Sequence, residues 1–549
     1  KAGRIRAEIS YIKLPSKFLR DSLSECMGKV FSKLRTFLWP LHREELGRFI
    51  PTFLMGFLIC FNYYVLRVAK DAFVITAKES GAETLPFLKV WAVVPMALLM
   101  TVIFTRFSNY LSRRNVFYAM LVFYIAYFVL FVTVLYPYRD SLHPHQTADY
   151  LQSLLPQGCK GFIALFRNWT FTSFYVMAEM WSTMVMTVLF WGFVNDVTTV
   201  KDAKRYYGLF AVGTNVAGIA AGMFLPFLSS ISFHSSLPYG KTAWDQAVTH
   251  LNILIIAIAL ASIGIYYWLN KKGYGYKEQT LLEKEKEPAV RSGLRSSMSY
   301  VLKSKYLLTI AILVVSYNIV MNLVEVIWKD QVHKLYPHPS DFNAYTGIVL
   351  FWSSILATSI AIFLSGNIIR KFGWTVSALI PPIATLVSGI LFFVGLLLPD
   401  SIWMGICTSL GFAPLGTTVF LGSLQHCLLR GTKYSLVDAT KEIAFVPLSR
   451  ECKLKGKAAI DGVGSRLGKS GGALLYQALL MMFGSITATT PFVTMLILGS
   501  ILGWIGAAKA LGKRFVHLTK EEQEPPSPLS SSNASASFEE KKETMASSL

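Results

Sequence analysis

Apolar residues run in nearly uncharged stretches of about 20 along most of the chain, the length a helix needs to cross roughly 30 Å of hydrocarbon. Twelve such spans are predicted, at about 49–67, 85–105, 116–136, 162–193, 207–231, 248–269, 305–326, 344–368, 375–399, 402–424, 470–487 and 490–511. The longest charged break, "NKKGYGYKEQTLLEKEKEPAVRSGLRSS" (270–297), divides them six and six. Such a division is the sequence mark of a two-half transporter. The pattern therefore predicts an all-α polytopic membrane protein. Its parts are a basic N-terminal segment 1–48, a six-helix half 49–269, a charged linker 270–304, a second six-helix half 305–514 and a tail 515–549. The tail, rich in Glu, Ser and Pro, is too polar to fold alone and is expected to be disordered. Residues 1–48 lack the apolar core of a cleavable signal, which leaves the first span as the insertion signal.

Composition agrees with a bilayer protein: 53% of the 549 residues are hydrophobic and only 15% charged, against about 25% charged in soluble domains. The net charge of +21 raises nucleic acid as a partner. Its distribution excludes that reading, because the basic residues alternate between loops. One set of loops holds Arg106, Arg113, Arg114, Lys201, Lys204, Arg205, Arg370 and Lys371 and the basic linker; the opposite set is poorer, holding Arg139, Lys160, Lys241 and Lys334. This is the positive-inside pattern, and it places both termini in the cytoplasm. Six scattered cysteines and nine unpatterned histidines carry no metal or redox spacing, so no cofactor or metal is expected.

A charge at the centre of a spanning helix costs about 2.5–3.5 kcal/mol on insertion scales, so each one needs a reason. Arg67, Lys70 and Asp71 close the first span, where basic residues either snorkel to the interface or face a cavity. Glu179 lies inside "SFYVMAEMWSTMVMTVLFWGF" and is too short to snorkel; it is either half of a structural ion pair or a functional carboxylate. Glu325 stands one turn before Lys329, where a local i, i+4 pair competes with a central role. "FNYYVLRVAKD" (61–71) and "MNLVEVIWKD" (321–330) end the first and seventh spans alike, in Lys-Asp, as a repeat of two halves predicts. Residues 430–470 mix Lys433, Lys441, Lys455, Lys457, Arg466 and Lys469 with apolar residues. They are expected to lie along the membrane face, line a cavity or form a solvated loop.

Within that region "DGVGSRLGKSGG" (461–472) has the look of a phosphate-binding loop. The spacing fails: the loop needs four residues between its glycine and Gly-Lys-Ser, and Gly464 and Gly462 leave three and five. It also leads into a membrane span rather than out of a buried strand, so neither an ATPase nor any other enzyme is expected. Gly468, Gly471 and Gly472 are expected to let helices approach closely, and Lys469 to gain from a helix N-terminus an affinity for anions.

Six stretches, among them "KDAFVITAKESGAETLPFLK" (70–89), "RNWTFTSFYVMAEMW" (167–181), "NLVEVIWK" (322–329), "TKYSLVDATKEIAFVPL" (432–448) and "KGKAAIDGVGSRLGKSGG" (455–472), resemble the nucleotide transporter family of obligate intracellular bacteria and plastids, the ATP/ADP translocases. "YPYRDSLHP" (136–144) is most like its chlamydial branch. The resemblance implies a major-facilitator-like bundle of twelve helices that moves nucleotides by alternating access without hydrolysis, in the inner membrane of such a bacterium. Four charged positions that matter in the family fall on Lys70, Glu179, Glu325 and Lys469. Arg67, Lys441 and Lys457 are further candidates for phosphate contact, and Glu179 and Glu325 for proton coupling. The expected partners are ATP and ADP, with GTP, CTP, UTP, protons and phosphate as candidates, acting on a monomer in the bilayer. "AEMWS" (178–182) and "KEIAFVPLS" (441–449) stand where strict exchangers usually read like "AELWG" and "KEMAYIPLD". These departures leave ATP/ADP antiport and proton-coupled nucleotide import both open. The alternative is a carrier of other phosphorylated metabolites, such as sugar phosphates.

Overall fold

The computed structural model describes residues 41–198, 200–275, 299, 301–448, 452 and 456–523. Most of the expected N-terminal segment, linker and tail therefore lies outside the described residues. We number the long helices in chain order. The first half contains α1 (Arg43–Ile75), α2 (Thr84–Tyr110), α3 (Arg113–Leu135), α4 (Trp169–Val197), α5 (Val200–Ser229) and α6 (Ala243–Lys271). In the second are α7 (Lys305–Leu335), α8 (Pro339–Phe363), α9 (Ile368–Leu397), the broken α10 (Asp400–Ser409 and Pro414–Ala444), α11 (Ser465–Phe483) and α12 (Ile486–Leu518).

Ten of these, all but α10 and α11, are long and apolar enough to cross a membrane, and the two pieces of α10, bent by 88°, make an eleventh if taken as one span. The expected count of twelve is thus met only in part. At α10 the cause is Gly411, whose φ of +77° ends the first piece after ten residues. α11 is 19 residues long but opens on Ser465, Arg466, Lys469 and three glycines, which dilute its apolar character. The fourth span begins later than expected: Asn168 (φ −111°, ψ 45°) breaks it into a short helix, Lys160–Arg167, and α4. The Asn168 amide then donates to the Lys78 and Ala164 carbonyls, satisfying backbone groups that the break exposes. At the other end of the chain the last helix continues to Gln523, so the first residues of the expected tail are helical.

Each half has its own apolar core, one drawn almost wholly from residues 41–269 and the other mainly from 301–511. The start of α1 is tied to α5 by Arg205–Glu45 (2.6 Å), and the end of α12 to the start of α7 by Arg514 donating to the Lys305 carbonyl (2.6 Å). These contacts define a terminal face, where the described chain enters and leaves. At the opposite, far face, Arg139 after α3 binds Asp245 on α6 (2.9 Å), and Asn343 on α8 donates to Ser229 at the end of α5 (2.9 Å).

The halves meet mainly along α5 with α8 and along α2 with α11. Gly222 permits the first contact: a Cβ there would lie 2.6 Å from the Phe351 backbone. The second core also takes in Val74, Ile75, Leu85, Phe87 and Leu88 from α1 and α2, so one apolar layer shared by both halves seals the far face.

Outside the spans, the buried His143 ring shares a hydrogen bond with the Thr170 hydroxyl at 2.7 Å. Burial, with His145 beside it, pulls its pKa from 6.5 down to about 4. Unfolding lets the ring take up a proton below pH 6.5, so the stability that His143 contributes is complete above that pH and drains away between 6.5 and about 4. Thermal melts should show His143→Gln less stable than wild type at neutral pH, with the gap narrowing by pH 5; a gap independent of pH would contradict this account.

Candidate functional site

α1 and α7 carry the charges of the site because both put their last polar turns inside the bundle. Lys70, Asp71 and Lys329 are buried, with side chains 6%, 8% and 4% exposed. Lys70 binds Glu179 of α4 at 2.5 Å, lies 3.7 Å from Asp71 and sits 3.5 Å above the Tyr175 ring. Lys329 pairs with Asp71 at 2.7 Å and with Glu325 at 3.0 Å. Glu325 also takes Arg430 of α10 at 3.1 Å and Lys89 of α2 at 3.2 Å, and Lys89 donates to the Asn322 amide oxygen at 2.7 Å. The result is one continuous ionic chain from Glu179 to Arg430. Two of its links, Asp71–Lys329 and Lys89–Glu325, cross between the halves.

The structure brings Lys70, Glu179 and Glu325 together, as expected from their burial. Arg67, one turn below Lys70, contacts only the Tyr63 hydroxyl (3.3 Å) and forms no ion pair among the described residues. Lys469 also forms none; it is exposed, and its charged and phenolic neighbours are Lys433, Glu179, Tyr434 and Arg67. It therefore belongs to the same cavity. Lys441 and Lys457 are placed elsewhere, Lys441 on Asp461 at 2.9 Å and Lys457 on Glu442. Those carboxylates lie 20 and 15 residues from their lysines and hold both amines in a separate surface cluster.

Counting formal charges gives the cavity its character. Lys70, Lys89, Lys329 and Arg430 face Glu179, Asp71 and Glu325, which leaves one positive charge, and Arg67 and Lys469 raise the surplus to three. Lys433 at the rim is balanced by Asp438, 3.5 Å away. Partly exposed Glu179 (36% of its side chain) and exposed Lys469 and Tyr434 mark the solvent-reached part. Among the described residues the shared apolar layer lies on the far side of the cavity.

Helix geometry contributes through π turns, which hold an extra residue and are frequent at functional sites. Four of the six among the described residues, Lys89–Val93, Trp181–Phe190, Lys433–Val437 and Ala458–Gly464, contain or adjoin a charged position of the cavity or its approach; Phe131–Leu135 and Ile360–Leu364 do not. The turn at Ala458–Gly464 corrects an expectation about Lys469. Gly464 is itself helical (φ −59°, ψ −44°) and continues from the π turn, so Lys469 sits inside a helix and no free N-terminus adds to its charge.

Nor do the three glycines act alike. A Cβ on Gly468 would fall 2.6 Å from Asn318 Cβ and 3.1 Å from the Val315 carbonyl of α7, one on Gly472 would make ordinary contact at 3.5 Å, and Gly471 faces open space. Gly468→Ala should therefore destabilise the fold by about 1–3 kcal/mol of overpacking and so lower the melting temperature, while Gly471→Ala does not lower it. Equal melting of the two variants would remove the close-approach role.

Sequence reasoning passed over Asp71, Lys89, Lys329 and Arg430 as site residues. The available signal was the matched Lys-Asp pair ending the first and seventh spans, since both lysines now stand in the ionic chain.

The architecture and sequence have relatives. Two solved structures share the fold: a bacterial homologue of the iron transporter ferroportin (TM-score 0.53, 13% identity, covering 85% of this chain and 99% of that one) and the nucleoside transporter NupG (0.51, 10%, 86% and 99%). The ADP,ATP carrier protein 1 of Chlamydia muridarum is 42% identical over 498 residues, 90% of this chain and 93% of its own. A chloroplastic ADP,ATP carrier protein 2 of Arabidopsis thaliana is 39% identical over 478 residues, 87% of this chain and 76% of its own. The family model of the TLC ATP/ADP transporters matches residues 25–515. The chain is thus a multi-pass membrane protein with a major-facilitator-type fold, and it belongs to the TLC ATP/ADP transporter family.

Proposed function

We propose that this protein carries ATP and ADP whole across a membrane, by alternating access and without hydrolysing them. The observation that carries this reading is the surplus of three positive charges in a cavity between the two halves. The phosphates of ADP or ATP bring about three or four negative charges at neutral pH, enough to replace the internal carboxylates as partners of the cations. Lys70 and Lys469, the two lysines that both act on Glu179, bind the phosphates, with Arg67 beside them. Glu179 and Glu325 keep the cations paired while the cavity is empty, which lowers the cost of holding buried charge. A proton can join the cycle only once a phosphate has drawn Lys70 away from Glu179, so any coupling follows nucleotide binding.

Both six-helix halves lie in one chain, and a monomer suffices. The distribution of Arg and Lys supports a cytoplasmic terminal face, and the chlamydial relatives support the inner membrane of an obligate intracellular bacterium. The test is uptake of labelled ATP, ADP, GTP, CTP and UTP into proteoliposomes, with and without internal ADP and with a proton uncoupler. A requirement for internal ADP identifies exchange, and collapse under the uncoupler identifies proton-coupled import. Absence of nucleotide uptake in every arm, or hydrolysis keeping pace with uptake, would overturn the reading.

A further inference from the structure

Beside the ionic chain, toward α8 and α10, lies a small cavity of about 30 Å³ lined by Arg67, Asp71, Trp328, Lys329, His426 and Arg430. On the usual measure this is room for about two or three water-sized oxygens. His426 is 3% exposed and stacks face to face on Trp328 (4.2 Å between centroids, 17°). Its ring makes no hydrogen bond among the described residues, and its Nδ1 is buried without a partner. Trp328 is held in turn by donating to the Ser423 hydroxyl at 2.9 Å, so the histidine is presented by a fixed platform. Arg430 gives one nitrogen to Glu325 while its Nε is also buried without a partner, and Arg67 has only a tyrosine hydroxyl. Buried donors without acceptors are costly. Here they cluster, with three cations converging on the single lining carboxylate, Asp71, whose Oδ2 is held by Lys329 and whose Oδ1 is buried without a hydrogen-bond donor.

We propose that this cavity is a subsite for one tetrahedral phosphate group, with Arg67, Arg430, Lys329 and His426 as its donors. The occupant is either the terminal phosphoryl group of the carried nucleotide or free inorganic phosphate; the recognition chemistry is the same. Arg67 also lies within electrostatic reach of Lys469, which relates the subsite to the main cavity. A nucleotide whose inner phosphate rests on Lys70 or Lys469 reaches into the subsite only if it has a further phosphate. The subsite thereby separates di- and triphosphates from monophosphates. This inference rests on the nucleotide-transport reading and adds to it the residues that count phosphates.

The experiment measures how AMP, ADP and inorganic phosphate compete with uptake of labelled ADP by the full chain in proteoliposomes, for wild type, Arg67→Gln, Arg67→Lys and His426→Gln. Charge-assisted hydrogen bonds of this kind predict that Arg67→Gln and His426→Gln weaken ADP about tenfold or more. AMP should weaken by less, so that the preference for ADP over AMP shrinks. Arg67→Lys, which keeps the charge, restores part of that preference. Because the preference is measured within each variant, a smaller amount of folded protein scales both competitors alike. If inorganic phosphate competes in wild type but not in Arg67→Gln, the occupant is free phosphate; a shrinking preference without phosphate competition identifies the nucleotide's own terminal phosphoryl. An unchanged ADP-to-AMP preference together with unchanged phosphate competition overturns the subsite, while failure of wild type to take up ADP at all would strike the transport reading instead.

Discussion

Lys70→Gln should reduce labelled ADP uptake by two orders of magnitude or more. Lys70 is buried, bound to Glu179 at 2.5 Å and seated on the Tyr175 ring, so its loss acts twice. It removes a phosphate contact, and it leaves the Glu179 carboxylate without its lysine in the path of an anionic substrate, which it then repels. Glu179→Gln should behave differently. It leaves Lys70 free to bind phosphate but removes the group that takes Lys70 back on release, so KM and kcat both fall. Initial rates over a range of ADP concentrations separate the two variants, with size-exclusion profiles confirming folded protein. Retention of a tenth of wild-type uptake by Lys70→Gln would refute the central role given to it.

A double variant, Asp71→Asn with Lys89→Gln, should release nucleotide from preloaded vesicles without any counter-nucleotide outside, at least ten times faster than wild type. Asp71–Lys329 and Lys89–Glu325 are the ion pairs that tie the halves together between the cavity and the sealed far face. With them in place the empty carrier is latched; with both gone, only the apolar layer and the α5–α8 contact hold that side shut. The choice of variants leaves no charge stranded, because Lys329 keeps Glu325, and Glu325 keeps Lys329 and Arg430. Each single variant should have a smaller effect, since coupled pairs in one network contribute about 0.5–3 kcal/mol non-additively. An undiminished need for counter-nucleotide in the double variant would dismiss the latch.

What the sequence revealed about the site followed from insertion energetics. Glu179 and Glu325 stand out because a carboxylate has no long stem to carry it to the interface, and both prove to be ionic nodes. The Glu325–Lys329 pair was visible because it is local. The partners across the halves were not: Lys329–Asp71 and Lys89–Glu325 join residues 258 and 236 positions apart, and only packing brings them together. Lys89 and Arg430 also sit close to the ends of the predicted spans 85–105 and 402–424, where snorkelling already accounts for a basic residue. The weak points of the fold prediction had the same source. Gly411 and Asn168 break helices inside apolar runs, and hydropathy averaged over a span does not register a single left-handed or capping residue. Lys441 and Lys457 fitted a phosphate site by sign alone, yet Asp461 and Glu442 were near enough in the chain to claim them.

The threefold positive surplus of the cavity also decides where the membrane voltage acts. A carrier loaded with ADP, whose charge is about −3, moves its binding region as a nearly neutral unit, whereas one loaded with ATP, about −4, moves close to one net negative charge. A full membrane potential is worth about 2.3 kcal/mol per charge for each 100 mV. The ADP half of the cycle therefore runs almost blind to voltage. In a cell negative inside, the field opposes inward passage of ATP and favours its exit, so the concentration gradients of the two nucleotides must supply the work of drawing ATP in.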